Sequence, residues 1–349
     1  MAGPLGCAQD YTVSITGRGG SPTLGQVEPE MLVWGRVLDD TSTAEVVVPM
    51  GGDVACCELL GRTRSWCHEL VVHRDGVRVW EGPITRIGCG RDATVVRAKD
   101  VSAWLAKRKI RTLLDYTPTG LGAADLATIA QAVVRDALTV DDPGVLPYLL
   151  VLASGVTGQR QYTPDSAYAG DELRELARTG IDWTALGRRL IIGPETALAR
   201  LPTLTDGDFI GDLVVIEDGD AAATSATVIG KGVKATSGGE GPCGLLEVLA
   251  KEEQILDTAS AQAEADAIVA AGSPTPVYVD VPDGARLAPE APVGINDLIP
   301  GVVAPVAVAE VCRPVTTDLR LQRLSVRFDG DGEQVAVTLV PTGIDAPTT

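Results

Sequence analysis

Only two histidines occur in the 349-residue chain, and both fall in one run, His68-Glu69-Leu70-Val71-Val72-His73. The run is one residue longer than the His-Glu-x-x-His pattern of zinc peptidases. On a helix, a separation of five places the imidazoles about 140° apart. On a strand, which the surrounding alternation favours, an odd separation sends them to opposite faces. Neither geometry chelates one metal. A second donor set, Cys56-Cys57 with Cys67-His68, has the wrong spacing for a ribbon or finger, because adjacent cysteines in a strand diverge. The chain has seven cysteines and no export signal, so most are expected to be reduced thiols packed in the core.

Carboxylates cluster at Asp39-Asp40, Asp141-Asp142, Glu217-Asp218-Gly219-Asp220 and Asp329-Gly330-Asp331-Gly332-Glu333. Acid–base catalysis needs a polarised pair in a cleft, and calcium needs six or more oxygens. Each cluster instead coincides with an expected turn, where Asp and Gly serve the backbone; a weak calcium site at one of the last two is the alternative. Gly17-Arg18-Gly19-Gly20 and Gly230-Lys231-Gly232 match neither phosphate-binding nor dinucleotide fingerprints, and no Gly-x-Ser-x-Gly elbow is present. The five tryptophans at 34, 66, 80, 104 and 183 are dispersed, as core anchors are. These residues assign no catalytic group, no metal and no cofactor.

The elements that carry them are mostly strands. With 39 Gly, 22 Pro and 4% aromatic residues, the composition favours short strands and turns over a helical bundle. No apolar run is long enough to span a membrane, and the amino terminus lacks the basic and apolar regions of a signal peptide, so a cytosolic product is expected. The net charge of −18 argues against a nucleic-acid binder, which needs clustered cations. It suits a soluble surface, or the lining of a conduit along which DNA slides.

Residues 66–108 organise the chain. An alternating strand leads to Asp75-Gly76, the dipeptide of a two-residue hairpin, and Val77, Val79 and Ile84 lead back. Gly82-Pro83 is expected to break the ladder, and Thr94–Ala98 forms another strand before a brief helix at Val101–Leu105. With Tyr11–Thr16, Met31–Leu38 and Ala44–Pro49 this makes roughly six or seven antiparallel strands. Leu126, Ile129, Ala130, Val133, Val134, Ala137 and Leu138 then mark one face of a helix within 120–140, with Asp125 in its first turn and Asp142-Pro143-Gly144 as its stop. A shorter helix is expected from Asp171 as N-cap to Gly180, followed by two strands around the Gly187-Arg188 turn. Strands return at Leu213–Glu217 and Ala226–Gly230, with a Gly/Ser-rich loop over 235–244. An Ala-rich helix covers Thr258–Ala271, and further strands lie at 276–282, Val306–Val311, Leu319–Phe328 and Val335–Val340.

Three segments, in this order, resemble a family: Trp80-Glu81-Gly82-Pro83, Asp182-Trp183 through Gly193-Pro194, and Asp297-Leu298-Ile299-Pro300-Gly301 after the Ala-rich helix. They are similar to the tail-hub proteins, also called baseplate-hub or tail-associated minor tail proteins, of siphophages of actinobacteria. The resemblance implies a mainly β fold with α+β. Two tube-type antiparallel β-barrel or sandwich domains would occupy 1–112 and 207–246 plus 276–342. An α+β module would fill 113–206, a helical insertion 247–275, and a flexible tail 343–349. It implies a structural virion protein at the tail tip, assembled in the host cytoplasm. Its homotrimer would continue the tail tube and pass DNA transiently through an acidic bore. Implied partners are the distal tail protein ring, the tape-measure protein, and receptor-binding or tip proteins. An envelope-degrading tail enzyme and a host-glycan adhesin are the competing functions.

Overall fold

The computed structural model describes residues 4–50, 54–194, 199–251, 258–309 and 311–341. The tail expected at 343–349 lies outside them. The chain divides into two compact units, one of Met1–Gly211, Pro282–Ala304 and Arg320–Leu339, the other of Asp212–Val281, Pro305–Leu319 and Val340–Thr349.

The first unit begins with seven strands: β1 (Tyr11–Gly17), β2 (Thr23–Val27), β3 (Met31–Val37), β4 (Thr43–Pro49), β5 (His68–Arg74), β6 (Val77–Cys89) and β7 (Ala93–Lys99). Asp75 and Gly76 take φ of 48° and 77°, and Arg74 pairs with Val77. Two left-handed residues give the turn the twist that adjacent strands need. β6 does not break at Gly82-Pro83, as expected from sequence; it exchanges partners there. Its pairing with β5 ends at Glu69↔Pro83, and its pairing with β7 begins at Ile84↔Ala98.

Of the barrel or sandwich expected, a barrel does not form: no sheet among the described residues closes on itself. The principal sheet runs Phe209–Ile210, Ala285–Leu287, Gly332–Pro341, Val315–Asp329, β3, β4, β7, β6, β5, β1, β2. Closing β1–β7 would require β3 to pair back onto β1 or β2. That edge of β3 is already taken by the strand Val315–Asp329, from Arg323↔Val37 to Phe328↔Leu32. The result is a mixed β/α fold dominated by a large antiparallel sheet.

Two further expectations fail locally. Cys56 and Cys57 lie on a helix, α1 (Val54–Arg62), not a strand. The thiols are not core residues: Cys7, Cys57, Cys67, Cys89, Cys243 and Cys312 are exposed, Cys56 is half-buried, and none forms a disulfide. The tryptophans behave as anchors. Trp34, Trp80, Trp104 and Trp183 are buried, and half-buried Trp66 meets Trp104 edge-on at 5.0 Å between centroids.

The α+β part of this unit has α2 (Leu126–Leu138) and α3 (Ala169–Ala177) packed with the hairpin Asp182–Leu186/Arg189–Gly193, which the strand Leu150–Val151 joins in parallel. The helical spacing puts Ile129, Val133 and Leu173 in one core with Trp183 and Ile192. Burying each such aliphatic side chain contributes about 1.5–3 kcal/mol. Asp125 is the N-cap of α2, accepting from Ala127 N–H at 2.9 Å, and the helix ends at Leu138, before Asp142-Pro143-Gly144. For α3 the N-cap is Tyr168, whose side chain makes no cap bond; Asp171 sits in the first turn, where a carboxylate still meets the positive end of the helix.

In the second unit, the expected loop at 235–244 begins as a strand. Lys234–Gly238 and Glu247–Lys251 flank Ser225–Ile229, the second in parallel. α4 (Thr258–Gly272) covers this sheet through Ala226, Val228, Ala235, Ala261 and Ala265. The residues of this core are mostly alanine, so it is small.

Glu333, expected in a turn, is instead a buried tie between the first and last hairpins of the first unit. Its side chain is 1% exposed and accepts from Arg74 Nη2 at 2.7 Å and Arg74 Nε at 2.8 Å. Tyr11 Oη–H and Ala8 N–H also donate to it, at 2.6 and 2.8 Å. Burial pushes this carboxyl up, but the Arg74, Tyr11 and Ala8 donors outweigh it and hold the group below its usual value. A depressed folded-state carboxyl stabilises above its unfolded pKa and loses that contribution as pH falls through the folded one. Acid titration of the urea midpoint below pH 5 should therefore be shallower in Glu333→Gln than in the parent, which is the more stable near neutrality.

Candidate functional site

Charged residues on the inward phase of the strands build the most unusual chemistry of the first unit. Arg36 follows Leu32 and Trp34 on the buried face of β3 and is itself 1% exposed. Its Nη1 donates to Ile295 O at 2.9 Å and Leu298 O at 3.1 Å, and its Nη2 to Val79 O at 3.0 Å. The guanidinium lies 5.3 Å from the Trp34 ring centroid. Burial lowers its pKa to about 10, so it remains a cation at neutral pH. Carbonyl dipoles and the indole face satisfy it, and Nε has no hydrogen-bond partner.

A second cluster joins the β-strands to the α+β part. Arg188, at the tip of the Gly187-Arg188 turn, inserts between Glu69 of β5 and Glu81 of β6. The glutamates are 0% and 1% exposed. Arg188 Nη2 pairs with Glu69 Oε2, Nε stands 3.4 Å from Glu81 Oε1, and Nη1 donates to Pro143 O at 2.9 Å. Gly19 N–H donates to Glu69 Oε1 at 3.1 Å, and Arg78 Nη1 reaches Glu81 Oε2 at 3.0 Å. Burial pushes the Glu81 carboxyl up; Arg188 and Arg78 only partly offset this, and Glu69 adds to it. Glu69 thus belongs to an ion cluster, not to a metal site with His68 and His73.

Arg36, Arg78, Arg188 and Arg189 line one open groove of about 730 Å³ with Gly19, Gly20, Tyr148 and Asn296. Of these arginines the sequence singles out only Arg188, as a turn residue. The available signal was Arg36 standing in phase with the apolar Leu32 and Trp34, a position a solvated charge would not occupy.

The structure brings two of the three family-like segments together. Asp182, Trp183, Gly193, Pro194, Pro300 and Gly301 line one narrow crevice with Leu38. Asp182 pairs with Arg320, and Trp183 exchanges two backbone-directed bonds with Asp39, whose φ is 58°. Asp297 Oδ2 accepts from Gly294 N–H at 3.0 Å, and Gly301 N–H bonds Leu321 O at 2.8 Å. Trp80, Gly82 and Pro83 lie apart from the crevice. Trp80 donates to Ser42 Oγ at 3.1 Å, and Arg36 bridges the Val79 and Leu298 carbonyls.

The remaining carboxylate clusters are occupied with structure. Asp141 receives Arg18 at 2.9 Å and Arg108 at 2.5 Å, which hold it down to about 2. Asp142 accepts from Val145 N–H and Asp329 from Asp331 N–H, at 2.8 and 3.0 Å, and Glu217 pairs with Arg313. Among the described residues, no group of three or more His, Cys, Asp or Glu is placed to hold a metal. No helix among them is long and apolar enough to cross a membrane.

Neither a protein-family model nor a curated protein matches the chain. Solved structures do. The 43 kDa tail protein of prophage MuSo2 from Shewanella oneidensis superposes with a TM-score of 0.63 at 13% identity, covering 95% of this chain and 98% of that one. A tail protein from Neisseria meningitidis gives 0.63 at 15%, covering 96% and 98%. An E. coli type VI secretion component, described as similar in structure to bacteriophage T4 tail proteins gp27 and gp5, gives 0.51 at 11% over 96% and 79%. The fold is therefore one shared by phage tail proteins and a type VI secretion component. At these identities the likeness concerns the fold alone.

Proposed function

We propose that the chain is a structural virion protein, the tail-tip hub of a siphophage of actinobacteria, and not an enzyme. The observation that carries this reading is a fold shared end to end with two tail proteins, over 95% and 96% of this chain and 98% of each of theirs. In this reading residues 1–112 and 207–246 with 276–342 are two related tube-type domains, and 113–206 lies outside the ring they build. Three copies give a six-fold-like ring that continues the tail tube, closed by heterologous contacts. The distal tail ring, the tape-measure protein and the receptor-binding or tip proteins are its neighbours. A net charge of −18 favours passage of DNA over adhesion to it. The motif residues Trp80, Gly82, Pro83, Asp182, Trp183, Gly193, Pro194, Asp297, Leu298, Pro300 and Gly301 serve to shape the subunit.

Gold-antibody labelling of intact particles, viewed by electron microscopy, tests the assignment. Label confined to the tail tip is expected; particles that lack the chain would overturn it.

A further inference from the structure

The arginine-lined groove is an island of opposite charge on an acidic chain. Four arginines and one glutamate, Glu81, line it, and Glu81 is itself buried and paired with Arg78 and Arg188. The cations are not all spent. Arg188 gives Nη2 to Glu69 and Nη1 to Pro143 O, and its Nε stands 3.4 Å from Glu81 Oε1. Arg78 gives one Nη to Glu81 and keeps a half-exposed fork. Arg189 is exposed and makes no ion pair among the described residues. Arg36 is fully buried and engaged by the Ile295, Leu298 and Val79 carbonyls, so it contributes field and not contact. Glycines 19, 20, 144 and 187 form much of the wall, so a ligand can approach main chain closely.

The rim is apolar and ends in an open strand edge. Tyr148 and Pro147 line the groove. Two residues on, Leu150–Val151 is the outer strand of the three-stranded sheet, paired only to Arg189–Gly193. Leu150 and Leu152 stand 40% and 38% exposed there. An outer strand with unused donors and acceptors accepts an added extended chain.

We propose that this groove is a docking site for an extended segment of a partner protein, one that alternates acidic and apolar residues. Its carboxylates would meet Arg189 and Arg78, with the Asn296 amide as a further donor; its apolar side chains would lie on Tyr148, Leu150 and Leu152. A phosphodiester strand fits less well. It brings no apolar side chains for the rim, and the chain's overall charge repels a long polyanion. The site is defined on the first unit alone, so its failure would leave the virion assignment standing, and the converse holds.

Fluorescence anisotropy tests this with the full chain and a labelled peptide of alternating Glu and Leu, against a Gln/Leu control and an oligo-dT of similar charge. Saturable binding of the Glu/Leu peptide alone is expected, weakening at higher salt. Arg189→Glu, which breaks no ion pair among the described residues, should weaken it at least about tenfold, and Arg78→Gln should weaken it less. Circular dichroism melts confirm that both variants are folded. Absence of saturable peptide binding, indifference to Arg189→Glu, or equal binding of oligo-dT would overturn the proposal.

Discussion

Arg188→Met should lower the free energy of unfolding by about 3–5 kcal/mol, read from urea titrations at neutral pH. The size follows from what remains behind. Glu69 and Glu81 have side-chain exposures of 0% and 1%, and among the described residues Arg188 is the one cation paired with both. Among the described residues, Glu69 would keep only the Gly19 N–H. Glu81 would keep Arg78, itself 52% exposed and thus a weakened, screened partner. Methionine fills similar volume, so the loss reports stranded charge more than a cavity. The triple variant Glu69→Gln, Glu81→Gln, Arg188→Met should recover most of it, because replacing a whole buried ion cluster is often neutral. Failure of that recovery would mean that packing of the Arg188 stem, not charge, holds the hairpin.

The sign of the pH dependence separates the two explanations further. The Glu81 carboxyl already sits above its ordinary value because of burial. Between the unfolded and folded pKa values the native state binds more protons, so this group withdraws stability as pH rises through that window. Removing Arg188 extends the window upward. The deficit of Arg188→Met should therefore shrink at pH 5 and grow towards pH 8; a packing loss would be flat.

What the sequence discloses is whatever neighbouring residues decide among themselves. Asp75-Gly76 dictates its turn because only two left-handed residues are needed, and Leu126–Leu138 dictates its face because one period places every apolar residue. The Gly187-Arg188 turn is legible for the same reason. Its consequence is not: the Glu69 that Arg188 meets is 119 residues away. Arg36 likewise answers to carbonyls at 295 and 298. Of the barrel or sandwich expected, the barrel is absent because the free edge of β3 pairs with a strand that begins near residue 315, far outside the local pattern. Thiol burial failed because Cys56 and Cys57 ride a short helix with only Leu60 fully buried. The family-like segments fall between these cases. Their residues are visible in order, but the convergence of Asp182, Gly193 and Gly301 on one crevice is a property of the fold.

Gly82→Ala should cost more than about 3 kcal/mol, the upper range for overpacking, and should sharply reduce soluble yield. A Cβ at this position would lie 1.9 Å from Lys99 O and 2.7 Å from Asp100 Cα. Both are main-chain atoms, so no rotamer change relieves the clash. Nor can the opposing segment yield. Asp100 is 2% exposed and clamped by Ser102 N–H at 2.9 Å and by Ser42 N–H at 2.5 Å. The site is also where β6 leaves β5 for β7, so displacement of Lys99 would open the new pairing at Ile84↔Ala98. Gly76→Ala is the natural control. It faces open space at a φ of 77°, so its cost is conformational only, about 1–2 kcal/mol. Urea melts followed by tryptophan fluorescence, with Trp80 two residues from the change, should rank the variants in that order. Equal midpoints would show that the β6–β7 crossing is looser than these distances require, and that Gly82 is there for the turn of the strand instead of for its closeness.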